Sequence, residues 1–303
     1  MRQTKHAVLS MCLGELWWEF ANFAPHIIWK RMIQYKDRSD IEFISMTRPD
    51  RFDIYGLYSN IFVPLKIDGD GLRYRANGFR LDGFSEGMYN LLVTYFKEQY
   101  TNRYSTIELV YPKISGKTYV NRHQFPLDEM LFSYLPRSEN LKIAEESLPE
   151  DKKIVVLAPR FRFGFKRNWP FWQEFYDMLY SSKDLMSKFF FVICGKKPDY
   201  TPDKYNRFLD INNIQLGEYS SLVGLTIEIL RSAILTIGSQ SGLPNISLML
   251  GTPVLEWGHE RQFHTVDYNL RGTKIKFIDN VKYDLSAKRV LDETLYILKN
   301  GIQ

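Results

Sequence analysis

Two cysteines in 303 residues, Cys12 and Cys194, leave nothing from which to build a disulfide framework. No grouping of His, Cys and Asp has the spacing of zinc ligands, and His259 and His264 have no HExxH frame between them. No metal is therefore expected. No apolar run approaches the roughly 20 residues that a membrane-spanning helix needs, and Met1 to Ser10 carries too short an apolar part for a secretion signal. This predicts a cytoplasmic protein with no transmembrane segment. Short-period repeats and low-complexity tracts are absent too, which excludes solenoids and disordered tails. Charge of one sign is scarce: 40 basic against 35 acidic residues give +5, a mild bias that does not separate nucleotides from lipid headgroups or nucleic acid.

What is present is apolar bulk. With 45% hydrophobic and 15% aromatic residues, the chain can bury a substantial core, and its length suits two domains. Ala7-Val-Leu-Ser-Met-Cys-Leu13 reads as a buried strand, Gly14-Glu15 as a break, and Trp17 to Tyr35 as a helix-like segment. Strand, glycine turn and helix make the first unit of a parallel α/β domain. Ile41–Ser45 and Ile61–Leu65 are further strands, Glu86–Tyr100 is a helix, and Asp68 to Gly83 is rich in turn residues. Pro136 to Lys152 is charged and reads as a linker. A second strand-first series then follows: Ile154–Ala158, helix Phe171–Ser181, strand Phe189–Cys194, helix Ser221–Ala233, strand Ile234–Ile237, helix Asn245–Leu250 and strand Pro253–Glu256. Ser286–Lys299 has approximately helical spacing of Val290, Leu291, Leu295, Ile297 and Leu298. The expected boundaries are an acceptor-side domain over 1–140, a nucleotide-sugar domain over 141–285 and a closing helix over 286–303.

The most informative stretch is Leu235 to Glu256, read as strand, small-residue loop, short helix, strand. Gly238-Ser-Gln-Ser-Gly242 lets the backbone turn sharply, and a helix beginning beside it aims unpaired N–H groups at the loop, an arrangement that binds phosphate oxygens. Arg160-Phe-Arg-Phe-Gly-Phe-Lys-Arg-Asn-Trp-Pro170 follows the carboxyl end of the preceding strand, where ligands of open α/β sheets collect. Its cations Arg160, Arg162, Lys166 and Arg167 suit a diphosphate, although a solvated basic loop also accounts for Lys166 and Arg167.

Basic loop, Asn168-Trp-Pro-Phe-Trp-Gln-Glu-Phe175, Ser239-Gln-Ser-Gly-Leu-Pro-Asn245 and Leu250-Gly-Thr-Pro-Val254 together resemble the ADP-heptose lipopolysaccharide heptosyltransferase family, over about half the chain and in the family's order. The resemblance implies two Rossmann-like α/β domains facing across a cleft (the GT-B type) and inverting transfer from a nucleotide-diphosphate sugar held by the C-terminal domain. The sugar nucleotide is a co-substrate, and no cofactor is implied. It also implies a lipopolysaccharide or other surface-glycan acceptor. Ser241 and Gly242 then take the diphosphate loop, Lys166 or Arg167 the cationic contact, and Gly14-Glu15 the family's N-terminal Gly-Asp, with Glu15 as general base. The chain departs from the pattern at Gln240, where Asp is usual, at Asn245, where His is usual, and at Glu15 itself.

Other residues keep two readings. An acid in the first turn of a helix interacts favourably with its dipole, so Glu15 has a structural reading beside the catalytic one. Glu19 is the nearest alternative base, and His26, Asp50 and Asp53 follow. Trp17 and Trp18 are acceptor platforms or core, and Glu228 and Glu256 are ribose ligands or satisfied polar residues. Asp68-Gly-Asp70 resembles a metal-holding Asp-x-Asp but lies in a turn. Two alternatives stand beside surface-glycan transfer: glycosylation of hydroxymethylated DNA bases, and an inactive nucleotide-binding module of the same fold.

Overall fold

The computed structural model describes residues 6–12, 19–55, 58–65, 72–75, 78–81, 86–111, 138–160, 168–195, 205–216, 221–262, 265–266, 269 and 271–302. The chain forms two compact units, Met1–Pro136 and Arg137–Gln303.

In the first unit, β1 (His6–Met11) is almost wholly buried, as a central parallel strand must be. A π turn (Glu19–Phe23), α1 (Ala24–Trp29) and a second π turn (Lys30–Gln34) follow. Pro25 sits in the first turn of α1, where its missing N–H is harmless. Next come β2 (Ile41–Thr47), α2 (Phe52–Tyr55) and β3 (Ile61–Pro64). The turn-rich stretch contains a hairpin of β4 (Leu72–Arg75) and β5 (Gly78–Leu81), with Leu72 opposite Leu81. Helix α3 (Glu86–Thr101) and β6 (Thr106–Val110) complete the unit. The strands β3-β2-β1-β6 form one parallel sheet in that order.

The second unit begins with a helix, α4 (Ser138–Ser147), where a linker was expected. Ala144 is buried, and Asn140 Oδ1 accepts a hydrogen bond from Ser221 N (3.0 Å), so α4 is part of the folded unit. The series continues with β7 (Lys153–Ala158), α5 (Trp172–Ser181), α6 (Lys183–Lys188), β8 (Phe189–Ile193), β9 (Leu209–Asp210) and α7 (Leu222–Ser232). It closes with β10 (Ala233–Ser239), α8 (Gly242–Leu250), β11 (Val254–Gly258), β12 (Ile275–Asp279) and α9 (Ala287–Asn300). The sheet runs β12-β11-β10-β7-β8-β9, all parallel. Helices cover both faces. On one, Leu235, Ile237, Leu255 and Trp257 pack with Trp169, Trp172 and Phe175 and with Val290 and Ile297 of α9. On the other, Thr236 meets Ser247 of α8 through a 2.9 Å hydrogen bond. Among the described residues no helix is long and apolar enough to cross a membrane.

Candidate functional site in the second unit

The strand order places a topological switch between β7 and β10: from β7 the chain winds outward through β8 and β9, then returns to β10 and winds the other way. Ligands of open α/β sheets bind outside the carboxyl ends of the strands at such a point. Two glycines draw its walls together. A Cβ on Gly238 would lie 2.9 Å from the Ala158 carbonyl oxygen and 3.1 Å from Pro244 Cγ, so only glycine lets β7, β10 and α8 meet so closely. Gly195, just past β8, has φ of 130° and the Pro159 oxygen 2.8 Å from where a Cβ would stand.

Helix α8 starts at this edge. Ser241 is its N-cap but makes no side-chain cap bond. By helix geometry the N–H groups of Ser241, Gly242 and Leu243 have no intrahelical acceptor, and Pro244 has no N–H to orphan. The helix is held firmly at its other end. Gly251 takes a left-handed conformation (φ 88°), Thr273 Oγ1 donates to the Leu248 oxygen (2.6 Å), and Arg271 Nη1 donates to the Met249 oxygen (3.2 Å). The positive end of its dipole is thus fixed at the carboxyl edge of the sheet.

The predicted site residues separate into groups. Arg160 is brought to the small-residue loop, where its Nη1 donates to the Gln240 carbonyl oxygen (2.7 Å), while Gln240 N donates to the Trp257 oxygen (2.8 Å). The basic loop and the small-residue loop therefore meet at Arg160. Ser241 and Gly242 lie beside that contact at the helix start, partly buried, and Asn245 is buried in the first turns of α8. Gln240 turns its side chain into the protein, and it is only 2% exposed. Its Oε1 accepts from His259 N (3.1 Å) and Tyr283 Oη (2.7 Å), and its Nε2 donates to Glu260. Glu228 is buried in α7 beside Arg231 (3.4 Å), and Glu256 is fully buried within β11, opposite Gly238. Gly14, Glu15, Trp17, Trp18, Arg162, Lys166 and Arg167 lie outside the described residues, as do Asp68 and Asp70.

In the first unit, Glu19 is enclosed. It accepts from Thr47 Oγ1 (2.7 Å), Tyr55 Oη (2.6 Å) and Arg51 Nη1 (2.9 Å). Burial raises its pKa above the ordinary carboxylate range, against the opposing pull of Arg51. It joins the π turn to the end of β2 and to α2. Burial, reinforced by Lys30, pushes the His26 imidazole down to about 4. Asp53 is buried and Asp50 exposed.

His259, Glu260 and Tyr283 adjoin the site and were not among the sequence candidates. The signal was present: strand β11 extends two residues past Glu256, so the next residues stand at the same carboxyl edge.

No protein-family model matches the sequence, and no curated protein matches it. The two parallel α/β sheets with alternating helices define a chain of the GT-B architecture. Among solved structures, the fold is similar to that of E. coli ADP-heptose LPS heptosyltransferase II, with 12% identity and a TM-score of 0.55, over 97% of this chain and 98% of that one. It is similar as well to a family 9 glycosyl transferase from Veillonella parvula DSM 2008, with 10% identity and a TM-score of 0.55, over 97% of each chain.

Proposed function

We propose that this protein is a glycosyltransferase that moves a sugar from a nucleoside-diphosphate donor, held by the second unit, to an acceptor hydroxyl. The observation that carries this reading is the 2.7 Å bond from Arg160 to the Gln240 carbonyl at the β7–β10 switch, immediately before the N-terminus of α8. It sets a guanidinium beside outward-pointing amides, the combination that stabilises a departing diphosphate without reorganisation. Structural likeness to a heptosyltransferase and to a family 9 glycosyl transferase supports the same reading. Transfer is inverting and independent of metal, with Glu15 taking the proton from the acceptor as it attacks the anomeric carbon. The acceptor is a surface glycan, and the reaction takes place in the cytoplasm.

Two measurements test this. A thermal-shift screen against nucleoside diphosphates should raise the melting temperature, by mass action on a folded-state site. Glu15→Gln should then keep that shift while sugar transfer falls by about 100-fold or more. Undiminished transfer removes Glu15 as base. Nucleotide binding without turnover across a panel of donors and acceptors would assign the inactive module instead.

A further inference from the structure

We infer that His259 and Glu260 form the part of the donor site that recognises hydroxyl groups, on the ribose or on the sugar to be transferred; this rests on the donor-binding reading above.

Gly258 ends β11 at the sheet's carboxyl edge, and its strand-mate loop is the phosphate loop itself. Gln240 bridges the two. Its Nε2 donates to the Glu260 carboxylate, which fixes the amide's orientation, because the reverse would set Oε1 against a carboxylate. Oε1 therefore faces His259, whose Nδ1 lies 2.9 Å away and must carry a proton to bond an oxygen that only accepts. The imidazole is thereby held in one tautomer, with Nε2 at the other edge, 3.7 Å from Glu260 Oε1. Both side chains remain accessible, His259 at 30% and Glu260 at 43%.

Unusual backbone supports this arrangement. A Cβ on Gly258 would stand 2.4 Å from Gln240 Oε1 and 2.7 Å from its Cβ. Tyr283, buried, has φ of 56°, the one positive φ at a non-glycine residue among those described, and it is Tyr283 Oη that donates to Gln240 Oε1. Strain of this kind persists where surrounding structure enforces it, and it collects at ligand sites.

The chemistry selects the ligand class. An accessible carboxylate repels phosphate, and Arg160, the cation that suits phosphate, is tied to the main chain of Gln240, whereas Glu260 is tied to its side chain. The Glu260 carboxylate and the bare Nε2 of His259 both accept hydrogen bonds, and two adjacent acceptors suit two neighbouring hydroxyls. Such a pair reads a diol.

The test is calorimetric titration of the full chain with pyrophosphate, with the tightest of ADP, UDP, GDP and CDP, and with the glucose conjugate of that nucleotide. Glu260→Gln keeps an oxygen for Gln240, and His259→Asn keeps an N–H for it, so both variants should retain the wild-type melting temperature. Each is expected to weaken the sugar nucleotide by about tenfold while leaving pyrophosphate unchanged. Equal weakening of the free nucleoside diphosphate identifies the ribose, and weakening of the conjugate alone identifies the transferred sugar. Unchanged affinity for all three probes, or uniform loss that includes pyrophosphate, overturns the assignment. A wild-type chain that binds none of them overturns the donor reading and this inference with it.

Discussion

Single positions show how tightly the edge of the second sheet is determined. Gly258 is fixed by the Gln240 side chain rather than by its own backbone angle, since the missing Cβ would overlap both the amide oxygen and Cβ of Gln240. Gly258→Ala must displace that side chain and its bonds to His259, Tyr283 and Glu260. A loss of about 1–3 kcal/mol is expected in chemical denaturation, typical of overpacking. The same substitution in a Gln240→Gly background should cost much less, because both obstructing atoms are gone; equal costs in both backgrounds would show the contact to be irrelevant. Glu19 teaches the complementary lesson. A carboxylate that accepts from Thr47, Tyr55 and Arg51 in a fully buried setting looks catalytic by residue type, yet its oxygens are already engaged within the fold. Glu19→Ala removes the closer carboxylate from the buried Arg51, leaving the half-exposed Asp50 at 3.5 Å, and should destabilise by about 3 kcal/mol in urea unfolding, whereas replacing Glu19 and Arg51 together by Leu and Met should cost less than the single change.

Helices and strands were legible in the sequence where a period repeats without interruption. β1, β7, β8 and β10 are continuous apolar runs, and each sits inside a parallel sheet buried on both faces. Helix α9 follows its Val290–Ile297 spacing. Failures have specific causes. Ser138–Ser147 is charged enough to resemble a linker, but Asn140 and Ala144 turn inward among its acids and Lys142, too few apolar residues to register as a stripe. β12 alternates buried Phe277 with exposed Lys276, the pattern of an edge strand, which composition alone hides. Helix α8 starts at Gly242, three residues before the predicted Asn245, because Gly242 and Pro244 read as breakers although both are tolerated in a first turn. At the candidate site, the small-residue turn after β10 and the cations after β7 were legible because glycine and cation patterns are local. The inward turn of Gln240 and the nearby placing of His259 and Tyr283 were not, since they depend on pairing between β10 and β11 and on a loop more than 40 residues downstream.

Taken as one chain, the molecule divides its sensitivities. The proposed donor site and the Trp169–Trp172–Trp257 core belong to the unit Arg137–Gln303, while His26 and Glu19, two groups whose titration burial shifts, belong to Met1–Pro136. Each unit has its own core, so heating should give two transitions, only one of which nucleoside diphosphate raises. The other should respond to acid. His26 is held neutral in the fold with a pKa of about 4 against an ordinary 6.5, because burial and the Lys30 charge disfavour a charged ring more than Glu108 favours it. The unfolded chain then takes up a proton as pH falls below 6.5, which the folded chain resists until about 4, so stability of the first unit declines across that window and the loss is complete below it. Two and a half pKa units correspond to roughly 3 kcal/mol. Glu19, raised by burial, works in the opposite sense: its contribution is present at low pH and is lost as pH rises through its folded value, which offsets part of the His26 decline. His26→Gln removes the first effect alone. Calorimetry of the variant between pH 6.5 and 4 should therefore show a first-unit transition that falls less steeply than in the wild type, with the second transition unmoved; parallel slopes in the two proteins would mean that His26 does not govern the acid response.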